Sequence, residues 1–440
     1  MGRLENRMKR KMEQNPIVEC NKIQNKYLPN LFKWFDKVAD PRHQGYITYS
    51  IREMLGTMYY KAIGAVSSMR AMDRLSENEA VVKNLYSFME RDARMFIPHS
   101  VTENEFLEKL KPEELEKIQK ESVYTMIRRK TFDEAKVFGK WLVIFDATEL
   151  DEGNTQKNPA YLSRTYHRGE TNEYTRYHRG VLEAKIYFGN DIVCSIGSET
   201  IENSEEYINK SRDAVKQDCE SKAFKRLAKK IKDRFPRLPI IILADGLYVS
   251  QTVLEICENN GWDYIIRYKE GCASSIAKEY RSLPEKEVID DDIEFQNDIM
   301  FQERDVNLVY YRERQKKSGN EVQTEFAWIT NIRITKSNVK KIIKSGRLRW
   351  KIENQGFNRQ KHWQGNIGHA CSWNETAQKN HYLMEQIADF VKQLYEFFFL
   401  KKNGIKKLQK EISSELLASF GRQLTRTEDI SSELHEAVPN

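Results

Sequence analysis

The sequence predicts a mixed α/β fold, and two observations support that prediction. Two unbroken apolar runs of strand length, residues 141–145 and 240–244, each end at an aspartate. Around these runs, strand-like segments alternate with amphipathic helical segments, which is typical of a mixed sheet packed against helices. The chain has 440 residues, which is too long for one simple core, so we expect two or three domains.

The composition narrows the class of protein. Hydrophobic residues make up 40% of the chain, which is enough for real cores and excludes a disordered chain. The net charge of +7 is modest and is compatible with local basic patches that meet a polyanion. The six cysteines form no C-x-x-C pair, which argues against a zinc ribbon or a disulfide framework. With no signal peptide and no apolar run of membrane-spanning length, we expect a cytoplasmic protein.

Changes in composition and in hydrophobic periodicity along the chain predict its domains. Residues 1–135 show helical spacing and predict a helical N-terminal domain. Residues 136–275 and 323–400 carry the strands and helices of the α/β core, and the charged residues 276–322 between them predict a β-rich insertion. Residues 401–440 predict a basic C-terminal helix and a polar tail.

Local sequence patterns predict the individual strands and helices of the α/β core. Strands are predicted at "KWLVIFDATEL", on both sides of the turn Gly189-Asn190-Asp191, at "LPIIILADGLY", at "WDYIIRYKEG" and at "EFAWITNI". Amphipathic or capped patterns predict helices at "SKAFKRLAKKIKDRF", at "QTVLEICENNG" and in the second half of residues 337–363.

Asp146 and Asp245 are the first candidate site residues. Each ends an apolar strand, where ligands bind in open α/β sheets. A single aspartate here would be read as a turn former or a helix cap. Two of them favour a site, and because neighbouring carboxylates repel each other, we expect a divalent cation between them. Oxygen ligands of this kind suit Mg²⁺ or Mn²⁺.

Glu353 is the candidate third acid, in "GRLRWKIENQGFNRQKH". On a regular α-helix, Arg349 lies about 40°, Gln360 about 20° and Lys361 about 80° from Glu353. This face would place cations beside a carboxylate, as a site that handles phosphate requires. Taken alone, this pattern is better explained by an ordinary charged surface helix. Trp350 and Trp363 flank the glutamate, and we expect them to pack in the core rather than stack on a base.

In this order, the three acidic segments resemble the DDE transposases of bacterial insertion sequences, over residues 138 to 400. The resemblance is strongest to the cut-and-paste group whose glutamate helix carries a Tyr-x2-Arg-x3-Glu-x6-Lys signature. It implies a ribonuclease H-like core interrupted by a β-rich insertion before the glutamate. Arg349 stands at the signature arginine, Gly346 replaces the tyrosine, and Gln360 replaces the lysine, with Lys361 one residue later.

The resemblance also implies a mechanism and its partners. Asp146, Asp245 and Glu353 would be catalytic and would bind two Mg²⁺ ions, with Mn²⁺ as a substitute, for strand cleavage and strand transfer at the element ends. Double-stranded DNA and a second copy in a synaptic complex would be the partners, in the bacterial cytoplasm and at the nucleoid. The predicted DNA-binding residues are Arg349, Lys361, Arg267, Lys269, Lys225 and Arg226, with contacts mostly to phosphate.

Three alternatives remain open. A catalytically silent DNA-binding protein would keep the fold and lose the chemistry. Another ribonuclease H-like nuclease, such as a junction resolvase, would share the core, but the insertion and the helical N-terminus favour a transposase. A glycosidase would use paired acids without metal and without flanking cations.

Overall fold

The structure is a computed structural model that describes residues 13–209, 216–283, 286–317 and 320–424. The helices are α1 (Pro16–Tyr27), α2 (Leu31–Asp36), α3 (Ile51–Ile63), α4 (Met69–Leu75), α5 (Glu79–Phe88), α6 (Ser100–Lys109), α7 (Pro112–Arg128), α8 (Glu205–Asn209), α9 (Glu220–Arg234), α10 (Gln251–Asn260), α11 (Ser274–Ser282), α12 (Val339–Arg347), α13 (Trp350–Ile352), α14 (Asn358–His362), α15 (Glu375–Tyr395) and α16 (Gln409–Ser419). Two π-helical turns lie at Glu353–Phe357 and Glu396–Leu400.

The strands are β1 (Trp141–Gly153), β2 (Leu162–Tyr166), β3 (Tyr174–Tyr187), β4 (Val193–Ile201), β5 (Ile240–Ala244), β6 (Asp263–Tyr268), β7 (Glu287–Asp290), β8 (Ile293–Phe301), β9 (Arg304–Lys317) and β10 (Asn320–Thr330). The mixed α/β class and the helical N-terminus that the sequence predicts are therefore confirmed. In the described part of the chain, no helix is both long and apolar enough to cross a membrane.

The chain divides into two compact units. The first comprises the described parts of residues 1–131, 149–179 and 355–440, and the second comprises those of 132–148 and 180–354. The finer domain boundaries at residues 135, 275, 322 and 400 stay predictions, and the predicted tail beyond residue 424 lies outside the described residues.

The second unit is built on a mixed sheet. Hydrogen-bonded neighbours run in the order β4-β3-β1-β5-β6-β10-β9-β8-β7. Strands β1, β5 and β6 are parallel, whereas β6 to β10 and β10 to β7 pair antiparallel. Strands β7 to β9 lie within residues 276–322, where the sequence predicts a β-rich insertion, and the ribonuclease H-like assignment of the core stays a prediction. Its buried strands are the apolar runs of the sequence, since the side chains of Ile240–Ala244 are all inaccessible to solvent.

The hairpin between β3 and β4 is also confirmed. Gly189, Asn190 and Asp191 all have positive φ angles, of 79°, 51° and 68°. A glycine and two residues that tolerate the left-handed region therefore occupy the three positions where the chain reverses.

The first unit is mainly helical. Helix α15 packs against α1, α3, α6 and α7. Its polar residues face a buried ion-pair network, in which the Arg359 guanidinium bonds Asp389 over 2.6 Å and also Glu396. Strand β2 pairs with the start of β3, from Leu162 opposite His178 to Tyr166 opposite Tyr174.

Candidate active site

Asp146 and Asp245 lie at equivalent positions on two paired strands. The parallel register of β1 and β5 places Ile144 opposite Leu243. Asp146 lies two residues after Ile144, and Asp245 lies two residues after Leu243. Asp245 directly follows the last residue of β5, but Asp146 lies within β1, so the prediction that Asp146 ends its strand is wrong. Both carboxylates still lie just beyond the segment over which the two strands pair in parallel, at the edge where α/β sheets bind ligands. The sequence prediction of this juxtaposition rested only on the two apolar runs.

The backbone after Asp245 turns sharply. Asp245 caps the 3₁₀ turn Gly246–Tyr248, and its Oδ1 accepts a hydrogen bond from the Leu247 amide at 2.9 Å. A Cβ at Gly246 would come within 2.6 Å of the Cys272 sulfur, so the glycine allows this close approach. The turn occupies one side of the Asp245 carboxylate and leaves the other oxygen available.

Asp146 has a cationic partner, Arg349. The guanidinium donates from Nη1 to Asp146 Oδ2 over 2.8 Å, and both side chains are largely buried, at 15% and 18% exposure. Asp146 Oδ1 accepts a longer bond of 3.2 Å from the Ala147 amide. The predicted DNA contact of Arg349 is untested and stays a prediction, but in this structure its charge is directed at the first acid.

Glu353 follows the arginine by one helical turn. The chain is α-helical from Trp350 to Ile352, and Glu353 begins the π-helical turn that ends at Phe357. The Lys351 ammonium lies 2.6 Å from the carboxylate of Asp191 in the β3–β4 turn. That ion pair connects the helical segment that contains Glu353 to the β3–β4 hairpin.

The electrostatics link these acids. The pKa of Asp146 rises from its ordinary value of 3.8 to about 7. Burial of the carboxylate is the largest cause, and the negative charges of Asp245, Glu220 and Glu353 raise the pKa further, whereas Arg349 lowers it. The net effect is an excess of negative charge around Asp146 that one guanidinium only partly offsets.

Glu220 is the acid that sequence reasoning missed. It is the first residue of α9, and burial raises its pKa, as does the charge of Asp245, whereas a hydrogen bond from the Tyr248 hydroxyl lowers it. The predicted helix began at Ser221, one residue too late to include it. The available signal was its position four residues before the buried Phe224, on the apolar face of the helix.

Arginines and aromatic rings lie beside the acids. The guanidinium of Arg267 is 4.7 Å from the ring of Phe326 and 5.4 Å from that of Trp328, and Arg347 lies 4.1 Å from Phe326. Burial lowers the pKa of Arg267, and the nearby charges of Arg347 and Arg349 lower it further. Arg267 also donates to the carbonyls of Ala327 and Glu325, each at 3.0 Å. Its predicted DNA contact would use a guanidinium that is already held in place.

Trp328 explains why residue 346 is a glycine. A Cβ at Gly346 would overlap the indole of Trp328, which is 2% exposed. The space that a signature tyrosine would need at its own position is therefore filled by an aromatic ring from β10.

The helical spacing assumed beyond Glu353 is wrong. A π-helical turn holds more residues than an α-helical turn, so angles counted at 100° per residue do not apply across Glu353–Phe357. Gln360 is fully buried in the first unit and donates hydrogen bonds to Gln386 and Asp389, so its side chain is used in packing. Lys361 is half-buried, and its DNA contact stays a prediction.

The expected core role of two tryptophans is also wrong. Trp350 is 54% exposed and Trp363 is 41% exposed. Arg349 lies 4.9 Å from the ring of Trp350, so this exposed ring stands beside the Asp146–Arg349 pair.

The remaining predicted DNA contacts differ in their surroundings. Lys225 and Lys269 are exposed. Arg226 is exposed too, but its guanidinium already pairs with Glu199 and Asp218, both at 2.7 Å. Partial burial lowers the pKa of Arg226, and these two partners together outweigh that effect and raise it. All three assignments stay predictions.

The acids fit a divalent cation in their chemistry and charge. Asp146, Asp245, Glu220 and Glu353 offer only hard oxygen donors, and their mutual repulsion would be relieved by bound Mg²⁺ or Mn²⁺. As the side chains stand, with Asp146 on Arg349, no three His, Cys, Asp or Glu side chains among the described residues are grouped closely enough to hold a metal.

Comparison with known proteins shows what the chain is similar to in sequence and in structure. Residues 215–379 match the family described as "Transposase DDE domain", a range that includes Asp245 and Glu353 and begins after Asp146. No curated protein sequence matches the chain. Among solved structures, the chain resembles a piggyBac transposase synaptic complex with hairpin DNA, determined by cryo-EM. The TM-score is 0.40 and the identity 13%, over 97% of this chain and 86% of that one. Residues 215–379 of this chain are therefore similar in sequence to a transposase DDE domain.

Proposed function

We propose that this protein is a transposase that cleaves DNA at the ends of an insertion sequence and joins the freed ends to target DNA, with Mg²⁺ as its cofactor. The observation that carries the proposal is the matched register of Asp146 within β1 and Asp245 directly after β5, with Glu353 acting on Asp146 electrostatically. Asp245 and Glu353 lie within the residues that match the transposase DDE domain, and Asp146 precedes them in the same unit.

The residues have separable roles in this reaction. Asp146, Asp245 and Glu353 would hold the divalent ions, two in number and replaceable by Mn²⁺, which supply Lewis acidity to the reacting phosphate when bound. Arg349 neutralises Asp146 in this structure and would turn to phosphate when DNA arrives, because a guanidinium matches phosphate oxygens bidentately. None of these groups forms a covalent bond to DNA, so we propose no protein nucleophile.

The DNA contacts would be electrostatic. Lys225, Lys269 and Lys361 would join Arg349, Arg267 and Arg226 on phosphates, so affinity should fall steeply with salt. A second copy of the chain would complete a synaptic complex, because two element ends must be brought together. The reaction would take place in the bacterial cytoplasm.

The test is cleavage of DNA that carries the native flanks of the gene. Purified protein is incubated with the plasmid in Mg²⁺ or in EDTA, and the breaks are mapped. We expect Mg²⁺-dependent breaks at two inverted ends, with Asp146→Asn, Asp245→Asn and Glu353→Gln each reducing the rate by about 10³-fold or more. Asp298→Asn is the matched control, because this exposed aspartate pairs with Arg333 and has a positive φ that asparagine tolerates.

Two outcomes would contradict the proposal. Specific DNA binding without cleavage, identical in wild type and Asp146→Asn, would indicate a silent DNA-binding protein. Cleavage of branched DNA without preference for the flanks would indicate a different ribonuclease H-like nuclease.

A further inference from the structure

A hydrogen bond from the turn that Asp245 caps orients the carboxylate of Glu220. Tyr248 ends the 3₁₀ turn capped by Asp245, and its phenol donates a hydrogen bond to Glu220 Oε1. Tyr248 is 2% exposed, so its hydroxyl has a fixed position. The second acid and Glu220 are thereby connected through three residues of one tight turn.

Aromatic packing fixes the first turn of α9 from the other side. Phe224 lies one helical turn after Glu220, on the same face of the helix. Its ring is 5.1 Å from that of Phe145, the neighbour of Asp146, and 5.4 Å from that of Tyr248. The three rings hold the start of the helix against β1 next to Asp146 and against the turn that follows β5.

Glu220 interacts with both aspartates. Its negative charge interacts with that of Asp146 and with that of Asp245. A simple explanation would be that an acid in the first turn stabilises the helix dipole. An exposed carboxylate would do that without burial beside two other acids, so the dipole does not account for the position.

We propose that Glu220 is a fourth carboxylate of the active site, oriented by the Tyr248 hydroxyl, and that it takes part in binding the divalent cation. The inference rests on the proposed function, because it assigns Glu220 to the same site. It extends the three-acid set by a residue that lies between the two aspartates in sequence.

The test uses Mn²⁺ alone, added to the full-length protein without DNA, with free Mn²⁺ measured by electron paramagnetic resonance. Glu220→Gln keeps the size and the hydrogen-bond acceptor for Tyr248 but removes the charge. We expect it to weaken Mn²⁺ binding by about 10-fold or more. Tyr248→Phe, which leaves the charge but not its orientation, should weaken binding by a smaller factor. Glu258→Gln, at an exposed glutamate paired with Arg304, should bind as wild type does.

Glu220→Asp separates a site role from a structural one. It keeps an acid in the first turn of α9 and shortens it by one methylene, so a purely structural role predicts both wild-type melting and wild-type Mn²⁺ binding. A role in the site predicts wild-type melting and weaker Mn²⁺ binding. Wild-type Mn²⁺ affinity in folded Glu220→Gln and Glu220→Asp would overturn the inference.

Asp146→Asn distinguishes this failure from failure of the proposed function. If Asp146→Asn loses Mn²⁺ binding and both Glu220 variants retain it, only the role of Glu220 is wrong. If wild type binds no Mn²⁺ beyond the level of Asp146→Asn and cleaves no DNA, the proposed function and this inference fall together.

Discussion

Arg349 donates a hydrogen bond to Asp146 over 2.8 Å, between residues 203 positions apart in the sequence. The pair explains how a carboxylate is tolerated after five buried apolar residues, since Arg349 offsets part of the desolvation that raises the Asp146 pKa. It also joins the first acid directly to the arginine at the signature position.

Replacement of Arg349 should make the protein's stability depend more strongly on pH. Arg349→Ala leaves Asp146 buried beside other acids, so we expect the free energy of unfolding to fall by about 2–4 kcal/mol near pH 8. Near pH 5.5 the loss should be much smaller, because Asp146 is then protonated. Urea unfolding at both pH values measures this.

Arg333→Ala is the control for that prediction. Arg333 and Asp298 form an exposed pair, at 70% and 57% exposure, which should contribute at most about 1 kcal/mol. Equal losses for Arg349→Ala at the two pH values would show that the charge of Asp146 is not what the arginine stabilises.

Asp146 itself should destabilise the metal-free protein as pH rises. Between its ordinary value of 3.8 and about 7, the native state retains a proton that the unfolded chain has lost. The free energy of unfolding therefore falls across this window, by about 1.4 kcal/mol for each pKa unit of difference, and is lowest above pH 7. Asp146→Asn should lack this component and gain relative stability near pH 8.

Urea titrations of both proteins from about pH 4.5 to 8.5, in EDTA, measure the difference. Asp298→Asn should retain the wild-type profile. Parallel profiles for wild type and Asp146→Asn would mean that Asp146 is ionised in the native state throughout the range.

Gly346 should tolerate no side chain while Trp328 is present. Gly346→Ala places a methyl group into the indole, so we expect a loss of about 1–3 kcal/mol from overpacking. Gly271→Ala, with nothing within 4 Å of the added Cβ, should cost little. A double-mutant cycle with Trp328→Phe tests the cause, because the smaller ring should relieve part of the loss. Additive losses would place the strain elsewhere.

Lys225 and Arg226 should contribute differently to DNA binding. Lys225→Ala should reduce the slope of log affinity against log salt by about 1, since an exposed lysine can release one counterion. Arg226→Ala should change the slope less, because Glu199 and Asp218 already neutralise its guanidinium. Binding isotherms of duplex DNA at several salt concentrations provide both slopes. A larger effect of Arg226→Ala would indicate that DNA displaces its carboxylate partners.

The sequence by itself determined the buried core strands and the two aspartates that follow their apolar runs. Both follow from local properties, because an apolar run of five residues has few other places than a buried strand, and the end of such a run is where a carboxylate can leave the core. The hairpin at Gly189–Asp191 and the glutamate segment were predictable for the same reason. Their signals lie within a few neighbouring residues.

The tertiary structure alone decided which side chains meet. Arg349 on Asp146, Trp328 on Gly346 and Tyr248 on Glu220 join residues that are 18 to 203 positions apart, and no periodicity records such pairs. The π-helical turn after Glu353 likewise changed the spacing that a regular helix predicts. These features depend on packing and on charge in a buried environment, and both exist only once distant segments are brought together by the fold.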